Sequence, residues 1–466
     1  MPRSPTIRLT PARWIALAVL VAAAALLVFP VPAGHERRLL HGAALAVFAM
    51  GLFATGVIPE FVTGLSFFAV ANLAAVAAPA VVFAGWTSTA LWLTFGGMII
   101  GMAVVRTGLG ARLAARLTAL FGDSYGNQVA AMVVVGVSLA FVMPSTLGRV
   151  ILLVPVVLSV ADRLGLAEGR RGRSGLVVAM AWSTWVPSCA ILPANVPNMV
   201  LAGVSETLYG IPTHYGDYLL LHFPVSGFLK AVAIYVLVRL LFPDHVDAPP
   251  REAPEAKPMS RDEKVLAGLL ALTILAWATD FIHGISPAWI ALASGTACLL
   301  PGINLVPPAD FNGRFSTSSA IYVAAVLSVS AVIVDTGVGK AIGEGLMAAL
   351  PLVPDAPARD FATLVGLGTV TGMAATAPGV AAILAPFAKT MAQAAHLPLK
   401  SVLMTMVIGY STVLLPYQVP PLVVAMQLGN VPLGAAARVT LALALLTLVV
   451  LTPINFLWWR FLGYLP

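Results

Sequence analysis

The chain carries too little charge for a soluble protein of its length: of 466 residues only 10% are Asp, Glu, Lys or Arg, while 59% are hydrophobic. So few charges could not cover a water-facing surface of that size, and the composition places the chain in a membrane. Cysteine is nearly absent. Cys189 and Cys298 both lie in apolar runs, which excludes a disulfide framework or a zinc site and leaves two structural thiols. The ten-residue alternating segments of a membrane β-barrel are missing too. There is no Walker loop, no His-Glu-x-x-His zinc motif, no Gly-x-Ser-x-Gly elbow and no acid pair at membrane depth. Neither a primary pump nor an intramembrane enzyme is expected, and the protein is read as not an enzyme. The formal charge of +7 sits in short loops between apolar runs. That is a topogenic bias, and no nucleic-acid partner is expected.

What the sequence has in abundance is apolar runs long enough to cross about 30 Å of hydrocarbon, broken by Pro and Gly more than by charge. Eleven crossings are predicted, near 13–32, 39–57, 61–84, 89–105, 175–203, 219–242, 264–282, 286–303, 318–334, 399–427 and 434–456. Two further stretches, 128–160 and 360–390, are interrupted at their middles by Pro, Gly, Ser and Thr. Backbone freed there cannot be satisfied by lipid, so each is expected to be a re-entrant hairpin. The expected fold class is an all-α polytopic membrane protein of about eleven transmembrane helices plus two re-entrant hairpins.

The predicted organisation is a first span within 1–38, a repeat over 39–242, a polar linker at 243–263 and a second repeat over 264–466. Arg3, Arg8 and Arg13 precede the first apolar run, which is long for a signal peptide and is read as a retained span. With that terminus cytoplasmic, the Arg-rich loops 106–127 and 161–174 and the linker also fall inside, whereas loop 204–218 outside holds no Lys or Arg. This is the orientation expected in an inner membrane, with Arg37 and Arg38 as the exception.

The two halves echo one another. Thr107-Gly108 matches Thr336-Gly337 at an offset of 229, Pro155 matches Pro386 at 231, and Pro193 matches Pro416 at 223. Five predicted crossings separate the first pair, so the repeat is expected to be inverted, with tips 144–148 and 376–379 reached from opposite faces. Inverted repeats with broken helices are the architecture of secondary transporters. Gly97 and Gly101 are spaced for close helix packing.

A broken membrane helix exposes amides that attract anions and carbonyls that can ligate a hard cation such as sodium. Four breaks supply candidate residues. The hairpin tips offer Ser145, Thr146 and Gly148, then Thr376, Ala377 and Gly379. The interrupted spans offer Ser188, Asn195 and Asn198, then Ser411, Thr412, Gln418 and Pro420. The cation Arg149, just past the first tip, is a candidate partner for a substrate anion and has no counterpart in the second half, where Val380 stands at the matching position.

This order of motifs resembles the divalent anion:sodium symporter family of the ion transporter superfamily, over most of the chain from the second span onward. In that family each tip carries Ser-Asn-Thr and each broken span a Thr-Pro-Pro-Asn-like stretch. Here the tips read Ser145-Thr146-Leu147 and Thr376-Ala377-Pro378, and the spans read Asn195-Val196-Pro197-Asn198 and Gln418-Val419-Pro420-Pro421. A hydroxyl survives first in each tip, but the Asn is absent from both. The resemblance implies a homodimer that carries a small dicarboxylate, sulfate or related anion by an elevator motion. It implies Na+ as coupling ion, on Ser145, Thr146, Gly148, Ser188, Thr376, Gly379, Ser411 and Thr412. Substrate would fall to Ser145, Thr146, Arg149, Asn195, Asn198, Thr376, Ala377, Gln418 and Pro420. The alternative is proton coupling or exchange on the same fold.

Overall fold

The structure is a computed structural model that describes residues 11–31, 36–246, 258–341, 352–375 and 377–466. Thr376 lies outside the described residues. Among them all regular structure is helical. The first half runs α1 (Pro11–Val28), α2 (Arg37–Thr55), α3 (Glu60–Leu73), α4 (Thr89–Thr107) and α5 (Leu109–Leu120). It continues through α6 (Tyr125–Val142), α7 (Thr146–Arg163), α8 (Arg171–Trp185), α9 (Val196–Tyr209) and α10 (Tyr215–Leu241). The second half holds α11 (Arg261–Ala278), α12 (Pro287–Leu299), the short α13 (Pro308–Arg314) and α14 (Thr317–Asp335). It ends with α15 (Pro357–Ala374), α16 (Ala377–Ala395), α17 (Leu399–Ser411), α18 (Pro420–Leu428) and α19 (Leu433–Phe461).

Six of these, α2, α4, α6, α10, α14 and α19, are long and apolar enough to cross a membrane alone, and α16 with α17, bent by 120°, qualifies as a pair. The other predicted crossings are short or divided. The run 175–203 splits into α8 and α9 around two 3₁₀ turns, Pro187–Ala190 and Leu192–Ala194. The run 399–427 splits into α17 and α18 around Pro416–Gln418. Proline causes both breaks, because it cannot donate to the helix ladder and clashes with the preceding turn. α14 is the most central span, with 72% of its apolar window buried against 44% for α2 and α19.

The repeat is written in the packing. α6 packs along α8 as α15 does along α17; α3 packs on α14 as α12 does on α4. At the α3–α14 crossing a Cβ on Gly64 would stand 2.9 Å from the Ala325 methyl; at the α12–α4 crossing one on Gly295 would stand 3.0 Å from the Gly96 carbonyl. Gly64 and Gly295 are 231 positions apart, Gly96 and Ala325 are 229 apart, so the two crossings are images of one another. A Cβ on Gly96 would reach within 2.4 Å of the Ala291 backbone, closer than any side chain can approach. Of the two glycines singled out by spacing, a Cβ on Gly97 would stand 3.0 Å from the Pro144 ring, whereas one on Gly101 would meet open space.

Helices α4 and α14 both end at a left-handed glycine, Gly108 (φ 78°) and Gly337 (φ 80°), a conformation that only glycine adopts without strain. Helices α10 and α19 each contain one wide π turn, at Phe223–Leu229 and Thr447–Leu451. Ser226 and Asn455, 229 positions apart, meet there with Oγ donating to Oδ1 at 3.4 Å. Arg38, the exception to the loop-charge pattern, pairs with Asp335. Asp280 is fully buried: it accepts from the Tyr215 amide at 2.6 Å and ties the start of α10 to the end of α11. That amide is one of the unpaired donors of a helix start, which explains the carboxylate's place.

Candidate functional site

Both hairpin tips and both broken spans open onto one cavity of about 430 Å³. Its lining includes Ser145, Thr146 and Gly148 from the first tip, Ala377 and Pro378 from the second, Asn195 from the first broken span, and Gln418 and Pro420 from the second. Both tips line the same space, so one ligand in it touches both.

Each of those four segments is the start of a helix. Ser145 caps α7 by accepting from the Gly148 amide at 3.2 Å, and Asn195 caps α9 by accepting from the Asn198 amide at 3.3 Å. α16 begins at Ala377 and α18 at Pro420. Four helix N-termini therefore converge on the cavity, each with a partial positive charge of about +0.5; α18 starts on Pro420 and Pro421 and brings its dipole without free amides. Such a cavity favours an anion.

The other oxygens and amides of the breaks are satisfied internally. Asn195 Nδ2 donates to Ser188 Oγ at 3.1 Å; Asn198 Nδ2 donates to the carbonyls of Ser188 (3.1 Å) and Ile191 (2.7 Å). The Tyr410 hydroxyl donates to Asn198 Oδ1 at 2.8 Å, joining the two broken spans. In the second half Gln418 Oε1 accepts from the amides of Leu414 (2.8 Å) and Leu415 (2.7 Å). Ser188, Asn198, Ser411 and Thr412 are thus buried behind the cavity wall, not on it. Gly379 borders a separate small pocket beside Met50 and Phe53.

Arg149 departs most from expectation. It does not line the cavity and is fully buried. Nη1 donates to the Met143 carbonyl and to Ala194 O at 3.1 Å, and Nη2 to Thr146 Oγ1 at 3.1 Å and Thr184 O at 3.0 Å. The guanidinium fork braces the first tip to the first broken span from behind. Sequence reasoning also missed Lys230. This fully buried lysine of α10 donates to Ser411 Oγ at 2.8 Å and Ser411 O at 3.5 Å. A lysine inside the run 219–242 was the signal, since an ionisable residue at membrane depth is functional by default.

At the mouth, the cavity is rimmed by Arg106 and by Asp310 and Arg314 of α13. Asp310 pairs with Arg106 at 2.8 Å and lies 3.6 Å from Arg314, whose side chain is 65% exposed. Exposed pairs of this kind add little stability; their excess positive charge draws anions inward. Thr94, Ser316 and Ser319 add hydroxyls to the wall. None of these lies in a repeated motif, so nothing in the sequence pattern marked them.

These features define a class: a helical membrane transporter in which two hairpins and two broken spans surround one anion-attracting cavity. The chain belongs to the family described as the sodium:sulfate symporter transmembrane region, whose model matches residues 11–465. Among its relatives, a membrane protein of Cupriavidus necator is 25% identical over 82% of this chain and 76% of its own length. The citrate/succinate antiporter of Escherichia coli is 24% identical over 65% of this chain and 68% of its own. The chloroplastic dicarboxylate transporter 1 of Spinacia oleracea is 23% identical, the match spanning 46% of this chain and 39% of that protein. The crystal structure of the Alcanivorax borkumensis YdaH transporter shares the fold, with a TM-score of 0.55 at 16% identity over 97% of both chains.

Proposed function

We propose that this protein is a secondary active transporter that moves a small di- or tricarboxylate, or a related anion such as sulfate, across the inner membrane by an elevator-type motion. The observation that carries the reading is the convergence of four helix N-termini on one cavity. Its volume falls within the roughly 300–1,000 Å³ usual for small-ligand sites. Ser145, Thr146, Asn195, Ala377 and Gln418 hold the anion with backbone amides and small polar groups, while Pro420, which has no N–H, shapes the wall; Thr376 is assigned with them by its place in the repeat. The names of relatives that carry dicarboxylate or exchange citrate for succinate support the substrate class. The Arg-bearing loops support a cytoplasmic N-terminus, and the family resemblance supports a homodimer. Sodium symport and anion exchange share this geometry, and the two buried cations favour exchange.

The test is Ser145→Phe, which fills the cavity at the start of α7. Uptake of succinate, citrate and sulfate should fall more than about 100-fold while the protein still folds, its stability lowered by no more than the loss of one helix cap, about 1 kcal/mol. A substrate at 100 times its Kd should stabilise the wild type by about 2.7 kcal/mol and leave the variant unmoved. Wild-type uptake by the variant overturns the site.

A further inference from the structure

A sodium ion bound at such breaks would be held by carbonyl oxygens at half-helix C-termini and by small hydroxyls nearby. In this protein those oxygens are present, but they already have partners. The first tip ends α6 at Met143, whose carbonyl accepts from Arg149; α8 ends at its break with Thr184 O on the same guanidinium. Thr146 Oγ1, a hydroxyl expected to ligate sodium, accepts from Arg149 too. In the second half α17 ends with Ser411, again an expected sodium ligand, whose hydroxyl and carbonyl both accept from Lys230. The remaining end, that of α15, offers the Met373 carbonyl to the Tyr417 hydroxyl at 3.0 Å. At three of these four ends a sodium ion would have to displace a buried arginine or lysine, whose like charge opposes its approach, and at the fourth the Tyr417 hydroxyl. The residues present do not fit sodium.

We propose that Arg149 and Lys230 stand in for the coupling cations, which makes this protein a sodium-independent, obligate exchanger of dianions. The proposal rests on the reading of the cavity as an anion path. Among the described residues neither cation pairs with a carboxylate, so their charge is met by carbonyls and by whatever anion fills the cavity. Two tethered charges balance one dianion. A sodium symporter can shed its ions and return empty and nearly neutral; these cations cannot leave. The unloaded transport domain keeps two buried positive charges, which are costly to carry through a low-dielectric barrier. Only the loaded form then moves, and movement in one direction requires an anion in the other. Both cations come from the first half. Val380 stands at the position that matches Arg149 in the repeat, 231 on, and Trp459 at the one that matches Lys230, 229 on, so the device was added to the symmetric frame and is not part of it.

The experiment uses the full chain in proteoliposomes, with radiolabelled succinate, citrate or sulfate outside and the same unlabelled anion, or none, inside. Uptake should be at least tenfold faster into anion-loaded vesicles and equal within twofold in sodium and potassium. A tenfold stimulation by sodium, or sodium-driven accumulation in empty vesicles, overturns the proposal. Melting of the purified protein in sodium against potassium, with no anion present, decides the cation question separately. Equal melting supports it, and a sodium-specific rise that saturates at millimolar concentration overturns it. If no anion moves or stabilises the protein in either salt, the transport reading fails while this arm still judges the cations. Arg149→Ser and Lys230→Ala should each lose exchange more than tenfold, and whichever folds should gain a sodium-specific rise in melting temperature. A folded variant that exchanges at the wild-type rate, or stays indifferent to sodium, overturns the assignment.

Discussion

The two halves solve the same backbone problem with different side chains. In the first, Asn195 caps α9 while its amide reaches Ser188, and Asn198 takes two carbonyls of the break. In the second, one longer residue, Gln418, accepts from two successive amides at the equivalent place. The first tip is braced from its own helix by Arg149, whereas the second broken span borrows its cation, Lys230, from the other half. The repeat thus preserves where the chain breaks and lets the chemistry of each break drift. Free amides and carbonyls at a buried break must be satisfied, but several side chains can do so. A pseudo-symmetric frame therefore surrounds an asymmetric site.

The helix crossings break this comparison most forcefully. Gly96→Ala forces a Cβ into the Ala291 backbone and should cost about 3 kcal/mol or more, read as lost melting temperature or failure to accumulate folded protein. Gly64→Ala at the image crossing meets a methyl, where helices can part slightly, and should cost about 1–2 kcal/mol. Gly101→Ala, with open space, should be close to neutral. Equal effects at Gly96 and Gly64 would show that the two crossings are not packed as described.

Inversion is tested at the hairpin bases. Asp123→Cys beside α6 and Asp355→Cys beside α15 are both exposed positions, and the native thiols are buried. A membrane-impermeant maleimide should label them from opposite faces. Labelling from one face would leave the repeat as a duplication without inversion.

The smallest effect compares how α8 and α17 are anchored at their starts. Asp244 accepts from the Gly172 amide at 2.7 Å and pairs with Arg170, whereas Lys400 of α17 reaches Asp217 at 3.3 Å across a more exposed surface. Burial pushes the Asp244 carboxyl up, but the Arg170 guanidinium and the amides of Gly172 and His245 outweigh it and hold it below the usual carboxylate range. A depressed carboxylate contributes stability above its unfolded pKa of about 3.9, and that stability is lost as pH falls through the folded value. Asp244→Asn should therefore cost under about 1 kcal/mol near pH 6, and the gap to wild type should close below about pH 4. A gap that widens on acidification would mean the pair is not formed.

Much of this was legible in the sequence. Composition, the Pro- and Gly-bearing interruptions and the constant offset named the helical membrane class, the hairpin at 128–160 and the broken span at 175–203. Pairs such as Thr107-Gly108 and Thr336-Gly337 were visible because a helix end that needs left-handed backbone demands glycine wherever the frame recurs. Seven residues expected at the site do line the cavity: Ser145, Thr146, Gly148, Asn195, Ala377, Gln418 and Pro420.

Which face of a break looks into the cavity could not be read from order along the chain. Asn195 and Asn198 are three apart, yet one lines the cavity and the other is buried against Tyr410. Arg149 looked like a cation waiting for substrate, because in sequence it stands beside the tip; only the packing of α8 and the Ala194 carbonyl against it shows where its Nη1 and Nη2 donors go. Lys230 lies 181 residues before Ser411, and no local pattern links them. By itself the sequence determined where helices stop, since that is set by local backbone chemistry. Only the tertiary structure decided which charges the stopped helices receive, because a carbonyl takes whatever donor the fold brings within about 3 Å of it.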